Sequence, residues 1–406
     1  MATRLNKWKR WPRHVAACTF RAGLRAWWLI TSRLPRSDQK RRVLLHTYND
    51  LMTEYLSQVA DLIRDDPRIE LSLTAPASHG HAGTPGRDLA SKAMVGYVPY
   101  IRARAAKWDL VVYASNGFTH AYRPQIPRIL INHSLTGGKI ISGQNTRYGK
   151  GNTMSRGLPT FTRMFEASET VRQRAVEQNP SLSEVVVLVG DLRTDRMLGN
   201  VQSQELIRGE YGIESDKPVV LIQSTWGKAS LMEAYGDQIL PAARHLAEGG
   251  KYHVLISIHP NHWGNSPHAK QQPWGSRALE YETDGLTILR PGNNWERYLV
   301  MADVAITDHT ANAAVFAMLK RPMLFIEIPE DVVLPDSIER KLYDLCPRLH
   351  TDSLDHLEAE IRHAIDRYVA TQLETLVPDI VSCPGEAEVR ILEQIYDVLN
   401  LTQSSK

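Results

Sequence analysis

Short β-branched apolar runs alternate with amphipathic stretches along most of the chain. Val43–Tyr48 (VLLHTY) predicts a strand, and residues 50–65 an amphipathic helix. Ile69–Thr74, Asp109–Ala114 and Arg128–Asn132 predict further strands. A polar loop rich in Gly, His and Pro follows the second strand and leads into a helix ending near 107. Phe161–Ala167 and Glu184–Val189 close this series, with the helix ETVRQRAVEQ between them. The theme then restarts, with strands expected at Pro218–Gln223, His253–Ile258, Thr287–Leu289, Val304–Thr307 and Met323–Ile326. Helices are expected near 230–248, 294–302 and 311–319, and two more at 352–374 and 385–400. Strands that are apolar on both faces need helices on both sides, which means parallel sheets. The pattern predicts two Rossmann-like halves divided near 190–202, with ligands in the cleft at the carboxyl ends of the strands.

Length agrees, since 406 residues exceed one ordinary domain and suit two. Charge adds a third part. The net +3 hides +11 in residues 1–42 and −8 in the rest. That head also holds Trp8, Trp11, Trp27 and Trp28. On a helix from Pro12 to Leu34, Ala16, Phe20, Leu24, Trp27, Ile30 and Leu34 share one side, while Arg21, Arg25 and Arg33 share another. Tryptophan and arginine arranged this way suit the interface of an anionic membrane. A helix packed on the body, a nucleic-acid tail and an Arg-rich targeting peptide are the competing readings. No run of 18 apolar residues occurs, so no conventional membrane-spanning helix is expected. Cys18, Cys346 and Cys383 are too few and too scattered for a disulfide framework, which favours a reducing compartment.

Several chemistries lack their signatures. There is no GxGxxG and no DxD triplet. Gly143–Gly151 (GQNTRYGKG) misses the spacing and the Ser/Thr of a P-loop. His79–His81 and His259–His262 have metal-pair spacing without supporting Cys or carboxylates, so no metal is expected.

Four segments fall at strand ends. In INHSLTGGK, His133 can take a proton from a hydroxyl near neutral pH, and Ser134 and Lys139 accompany it; a strand-end histidine bonded to a carbonyl is the alternative. In VGDLRTDRML, the fork of Arg193 matches phosphate oxygens, or it pairs with Asp195. In SIHPN, His259 can donate to a phosphate. In ITDHTAN, Asp308, Thr310, Ala311 and Asn312 form a turn entering a helix, an anion site unless Asp308 is only a cap.

Taken in order, these segments resemble the CDP-glycerol glycerophosphotransferase family, which builds teichoic-acid-type polymers. Asn132–Lys139 stands where the family has Trp-His-Gly-Thr-Pro and a lysine. Gly190–Asp195 resembles Gly-x-Pro-Arg-x-Asp, Gln223–Trp226 resembles Ala-Pro-Thr-Trp, and Ser257–Pro260 resembles Arg-x-His-Pro. Thr307–Ala311 followed by Lys320-Arg321-Pro322 resembles Ser-Asp-x-Ser-Ser, a helix and Lys-Pro. Pro384–Ala387 with Arg390 resembles Gly-x-Ala-Ser-x-Arg. The likeness runs from about 128 to 395. Asn132 and Ser134 depart from it beside the histidine, and Thr310 and Ala311 replace a serine pair.

The resemblance implies a GT-B architecture with an acceptor half over 43–195, a nucleotide half over 196–375 and a closing helix in 376–406. It implies His133 as general base and transfer of glycerol phosphate, or a related polyol phosphate, from a CDP donor to a polymer or lipid-linked glycan hydroxyl. Arg193, Thr225, His259, Asp308, Thr310, Ala311 and Asn312 would serve the donor, and Ser134 and Lys139 the acceptor. No cofactor and no nucleic acid are expected. The place would be the cytoplasmic face of a membrane, reached through the basic head. A nucleotide-sugar glycosyltransferase, a UDP-sugar 2-epimerase and a non-catalytic carbohydrate-binding module of the same fold remain alternatives.

If the head is a lipid anchor, deleting residues 1–36 releases the protein from anionic liposomes in a sedimentation assay. Binding of the full chain then weakens with salt, because the attraction fades beyond about 10 Å at 0.1 M.

Overall fold

A computed structural model describes residues 40–76, 86–116, 119–131, 135–140, 147–155, 157–214, 216–263, 273–291, 295–368 and 370–402, together with Gly23. The basic head apart from Gly23 and residues 40–42, the His79–His81 pair and the segment holding His133 and Ser134 lie outside the described residues.

Two parallel sheets carry the chain. In the first half, β1 (Arg41–His46), β2 (Ile69–Thr74), β3 (Gly96–Tyr97), β4 (Leu110–Tyr113) and β5 (Arg128–Ile131) come in sequence. A two-stranded antiparallel hairpin, β6 (Met154–Ser155) and β7 (Leu158–Pro159), precedes β8 (Arg163–Glu166) and β9 (Val186–Leu188). The sheet order is β3-β2-β1-β4-β5-β8-β9. The second half has β10 (Val219–Ser224), β11 (His253–Ile258), β12 (Leu286–Leu289), β13 (Val304–Thr307), β14 (Met323–Ile326) and β15 (Arg348–Leu349). Its order is β12-β11-β10-β13-β14-β15. In both sheets the strand order reverses beside the first strand, between β1 and β4 and between β10 and β13. This is the doubly wound pattern, and it places a crevice at each reversal.

The expected apolar runs are the sheet cores. Val43, Leu44 and Leu45 have no exposure, and neither do Val219 through Ile222. The differences from expectation lie where local chemistry breaks a run. The helix expected to reach 107 is two, Gly86–Lys92 and Tyr100–Ala105, separated by the edge strand β3. Met94 takes a positive φ of 52°, and Pro99 stands at the N-cap of the second helix, so the chain turns there instead of continuing. The span expected as one helix over 352–374 is a 3-10 segment, Thr351–His356, then helices Leu357–Asp366 and Ala370–Glu374. β15 and the helix Ile338–Leu345 were not expected.

The C-terminal helix Ala387–Leu399 returns to the first half, where Ile391, Ile395 and Leu399 join the core of Val43 and Leu45. Two details of the 190–195 segment receive it. Gly190 adopts φ +84°, and a Cβ there would meet the Cys383 carbonyl at 3.2 Å and the Ala387 methyl at 3.3 Å. Asp195 accepts from the backbone N–H groups of Gly385 at 2.7 Å and Ala387 at 2.9 Å. The carboxylate therefore caps this helix from a distance in sequence.

Asp195→Ala is expected to cost about 0.5–2 kcal/mol, the usual range for a lost cap. Hydrogen exchange should localise the loss of protection to residues 387–399. Unchanged protection there would show that apolar packing alone holds the helix.

Candidate functional site

The carboxyl ends of β10, β11 and β13 meet at one side of a cleft of about 470 Å³ between the halves. Gln223–Trp226, Ser257–Pro260 and His309–Asn312 line its second-half wall, and Lys139, Arg147 and Tyr55 stand on the opposite side. Five of the expected donor-site positions, Thr225, His259, Thr310, Ala311 and Asn312, are thus brought together.

Asp308 does not line this cleft. It has no exposure, and its carboxylate accepts from the N–H groups of Leu231 at 2.7 Å and Thr225 at 2.9 Å. Ser224, next in the chain, donates its hydroxyl to the Thr225 carbonyl and accepts from Met232 N–H at 3.1 Å. Burial pushes Asp308 up to about 6, and the backbone donors pull it back. The carboxylate is therefore ionised at neutral pH and holds the 224–231 loop against β13. Ser230 opens the next helix, Leu231–Glu248, by accepting from Glu233 N–H, so a Ser-x-x-Glu cap lies under the same loop.

The loop presents Thr225 and Trp226. His259 accepts from Asn261 N–H through Nδ1 at 3.1 Å, which leaves the proton of its neutral ring on Nε2. Its ring centroid stands 6.1 Å from that of Trp226. Thr310 caps the helix Ala311–Ala317 by accepting from Asn312 N–H at 3.4 Å.

Lys139 belongs to the first half but donates to Thr225 Oγ1 at 3.2 Å and to the Trp226 carbonyl at 3.0 Å. Its Nζ also sits 4.7 Å from the centre of the Trp226 ring. Burial lowers its pKa to about 8, against the attraction of Asp308 and Glu339. Sequence placed this lysine with the acceptor, whereas its bonds are to the second-half wall. The turn before it is tied down as well. Gly138 N–H donates to Glu339 Oε1 at 3.0 Å, and Thr136 donates its hydroxyl to the same oxygen. A Cβ at Gly138 would lie 2.4 Å from that of Ser337, so only glycine fits that close approach.

Arg193 is buried away from the cleft lining. Its partner is Asp191 at 3.0 Å, not Asp195, and it donates to the Tyr55 hydroxyl. The guanidinium carbon lies 4.0 Å from the Tyr55 ring centre and 5.2 Å from that of Trp295, so it joins the two halves. A planar, permanently charged side chain suits this packing as well as it suits phosphate.

Three cleft residues carried no sequence signal. His309 is buried, and its Nδ1 finds no hydrogen-bond partner among the described residues. Burial, reinforced by the charge of Lys139, lowers it to about 3, so it is neutral. Arg147 is paired with the buried Glu166 at 3.1 Å. Glu339 was hidden in a helix that periodicity did not reveal. Among the described residues no group of His, Cys, Asp or Glu suits a metal ion. No described helix is long and apolar enough to cross a membrane.

Residues 148–330 match the family described as CDP-glycerol:poly(glycerophosphate) glycerophosphotransferase. The resemblance to that family holds. The teichoic acid poly(ribitol-phosphate) polymerase of Bacillus spizizenii is 23% identical over 250 residues, 59% of this chain. The chain spans only 38% of the length of that relative. Among solved structures, the wall teichoic acid polymerase TagF is similar with a TM-score of 0.66 and 14% identity over 98% of each chain. An S. aureus MnaA–UDP structure follows at 0.59 and 13% identity, covering 90% of this chain and 99% of that one. The UDP-GlcNAc 2-epimerase of Neisseria meningitidis stands at 0.53 and 13%, covering 88% and 100%. At these identities the structures establish the fold, which is of the GT-B type.

Asp308→Ala would strand two buried N–H groups, each worth about 1–3 kcal/mol. Urea denaturation should show a loss of at least that size, and Asp308→Asn a smaller one. A stable Asp308→Ala protein would mean that the loop needs no carboxylate.

Proposed function

We propose that this protein transfers glycerol phosphate, or a related polyol phosphate, from a CDP-linked donor to a hydroxyl of a surface-polymer or lipid-linked glycan. The main support is the convergence of Thr225, His259 and Thr310–Asn312 at the reversal of the second sheet, in the order of the glycerophosphotransferase motifs. In an open parallel sheet that is where a nucleotide binds.

The chemistry has one bond made and one broken. The acceptor oxygen attacks the β-phosphorus of the donor while His133 takes its proton. The bond from that phosphorus to the bridging oxygen breaks, and CMP leaves with the electron pair. Negative charge grows on the departing phosphate, so fixed donors on that side lower the barrier. His259 Nε2–H is one donor, and the N–H groups opening the helix Ala311–Ala317 are others. Positioning and electrostatics supply the rate, as is general for phosphoryl transfer. Arg193, paired with Asp191, serves through packing of the halves. The anionic membrane bearing the acceptor would be met by the basic head, on the cytoplasmic face.

The test is release of CMP from CDP-glycerol in the presence of glycan or polyol-phosphate acceptors, followed by mass spectrometry. His133→Ala should lose about 10²–10⁴-fold in turnover while keeping CDP affinity. A folded His133→Ala protein with normal turnover would remove the base. UDP-GlcNAc is the discriminating control: its conversion without CMP chemistry would favour the epimerase alternative. Binding without turnover of any donor would favour a non-catalytic module.

A further inference from the structure

We propose that Lys139, supplied by the first half, is a ligand of the donor's diphosphate, so that the nucleotide site is completed only when residues 138–140 lie against 332–334. The proposal rests on the donor reading above and reassigns this lysine from the acceptor to the nucleotide.

Placement carries it. The ammonium donates to Thr225 and to the Trp226 carbonyl, in the same wall as His259 and Thr310. The backbone on either side is fixed to the second half. Ile140 N–H donates to the Val332 carbonyl at 2.8 Å, and Leu334 N–H donates to the Gly138 carbonyl at 2.9 Å. With both neighbours of Lys139 bonded in this way, the side chain stays over the ends of β10 and β13. A second-half loop whose own Lys228 is exposed and does not line the cleft therefore receives a cation from the first half at Thr225 and Trp226. A diphosphate arriving at Thr225 meets that cation at hydrogen-bonding range, and charge-assisted bonds of this kind are among the strongest available.

The surrounding charges give the proposal a distinctive signature. Asp308 and Glu339 favour the charged lysine. His262 and His309 feel its charge and are held below their ordinary values mainly by burial. His259 lies beside Trp226. Burial is the largest influence on Lys139 itself and brings it to about 8. A bound diphosphate raises that value by adding negative charge. Binding near pH 8 therefore takes up about half a proton per nucleotide, rising toward one at higher pH, and affinity falls by up to about tenfold per pH unit above 8.

The experiment is calorimetry of CDP with the full chain between pH 6.5 and 9.5, in two buffers of different ionisation enthalpy. Wild type should show the proton uptake and the alkaline loss of affinity. Lys139→Arg stays charged throughout and should bind with neither. Lys139→Met should bind about 10- to 100-fold more weakly at pH 7 and without proton uptake. A pH-independent wild type, an Arg variant with the wild-type slope, or a folded Met variant with wild-type affinity would each overturn the proposal. Wild type that binds no CDP at any pH would overturn the donor reading itself. If Lys139→Met does not fold, the Arg variant decides alone, because only the titrating group has been changed.

Discussion

A buried carboxylate held by backbone N–H groups sets the geometry of the cleft. Asp308 sits at the end of β13 with no exposure and binds the N–H groups of Thr225 and Leu231 across the reversal of the second sheet. An isolated ionised carboxylate in such a place is costly, and burial raises Asp308 despite the help of its backbone donors. With the loop fixed, Thr225 and Trp226 have fixed positions. The ring of Trp226 can then face both His259 and Lys139. Aspartate in this position shapes the site through the backbone, and its own oxygens are already spent on the loop.

The joint between the halves is also polar and buried. Arg193 lies between Tyr55 and Trp295, and Gln58 donates to Glu296 at 3.2 Å across the same boundary. Burial, with repulsion from Glu296, raises Glu54 to about 8, so Glu54 carries its proton at neutral pH. A boundary of this kind owes less to net stability than to register, since a displaced arginine or carboxyl would lose its particular partners. Tyr55 and Trp295 line the cleft and also flank Arg193, so the register of the halves and the shape of the cleft are one constraint.

Much of this was legible in the sequence. Val43–Tyr48, Ile69–Thr74 and His253–Ile258 are strands within a residue or two of expectation, because apolar β-branched runs flanked by polar turns have few other uses. His259 and Thr310 were expected because strand ends are where a doubly wound sheet places polar side chains, and Thr225 because of the family resemblance; all three line the cleft. What stayed hidden depends on long-range partners. Asp308 looked equally like an anion-site residue, and only its bonds to Thr225 and Leu231 distinguish a brace. The pairing of Arg193 with Asp191 instead of Asp195 follows from Asp195 turning away to cap a helix that starts 192 residues later. Lys139 was assigned by sequence neighbourhood, yet the turn at Gly137–Gly138 carries it across the cleft. Glu339 was missed because its helix is short and polar on most of its surface.

The departures from the family's serine pair can now be weighed physically. Thr310 keeps the function of a serine as cap, since a threonine hydroxyl accepts from Asn312 N–H in the same way. Ala311 does not, because a methyl group offers no donor, and a ligand oxygen there meets only backbone N–H. His309, next in the turn, is neutral and adds no positive charge. Among the described lining residues, the second-half wall's permanent cation is Arg290, and it is already paired with Glu282 at 3.2 Å. Under the proposed donor reading, Lys139 adds a second cation from across the cleft, held there by the strand-like contact of Gly138–Ile140 with Val332–Leu334. On that reading, the loss of a hydroxyl at Ala311 and the reach of a first-half lysine to Thr225 meet one electrostatic requirement.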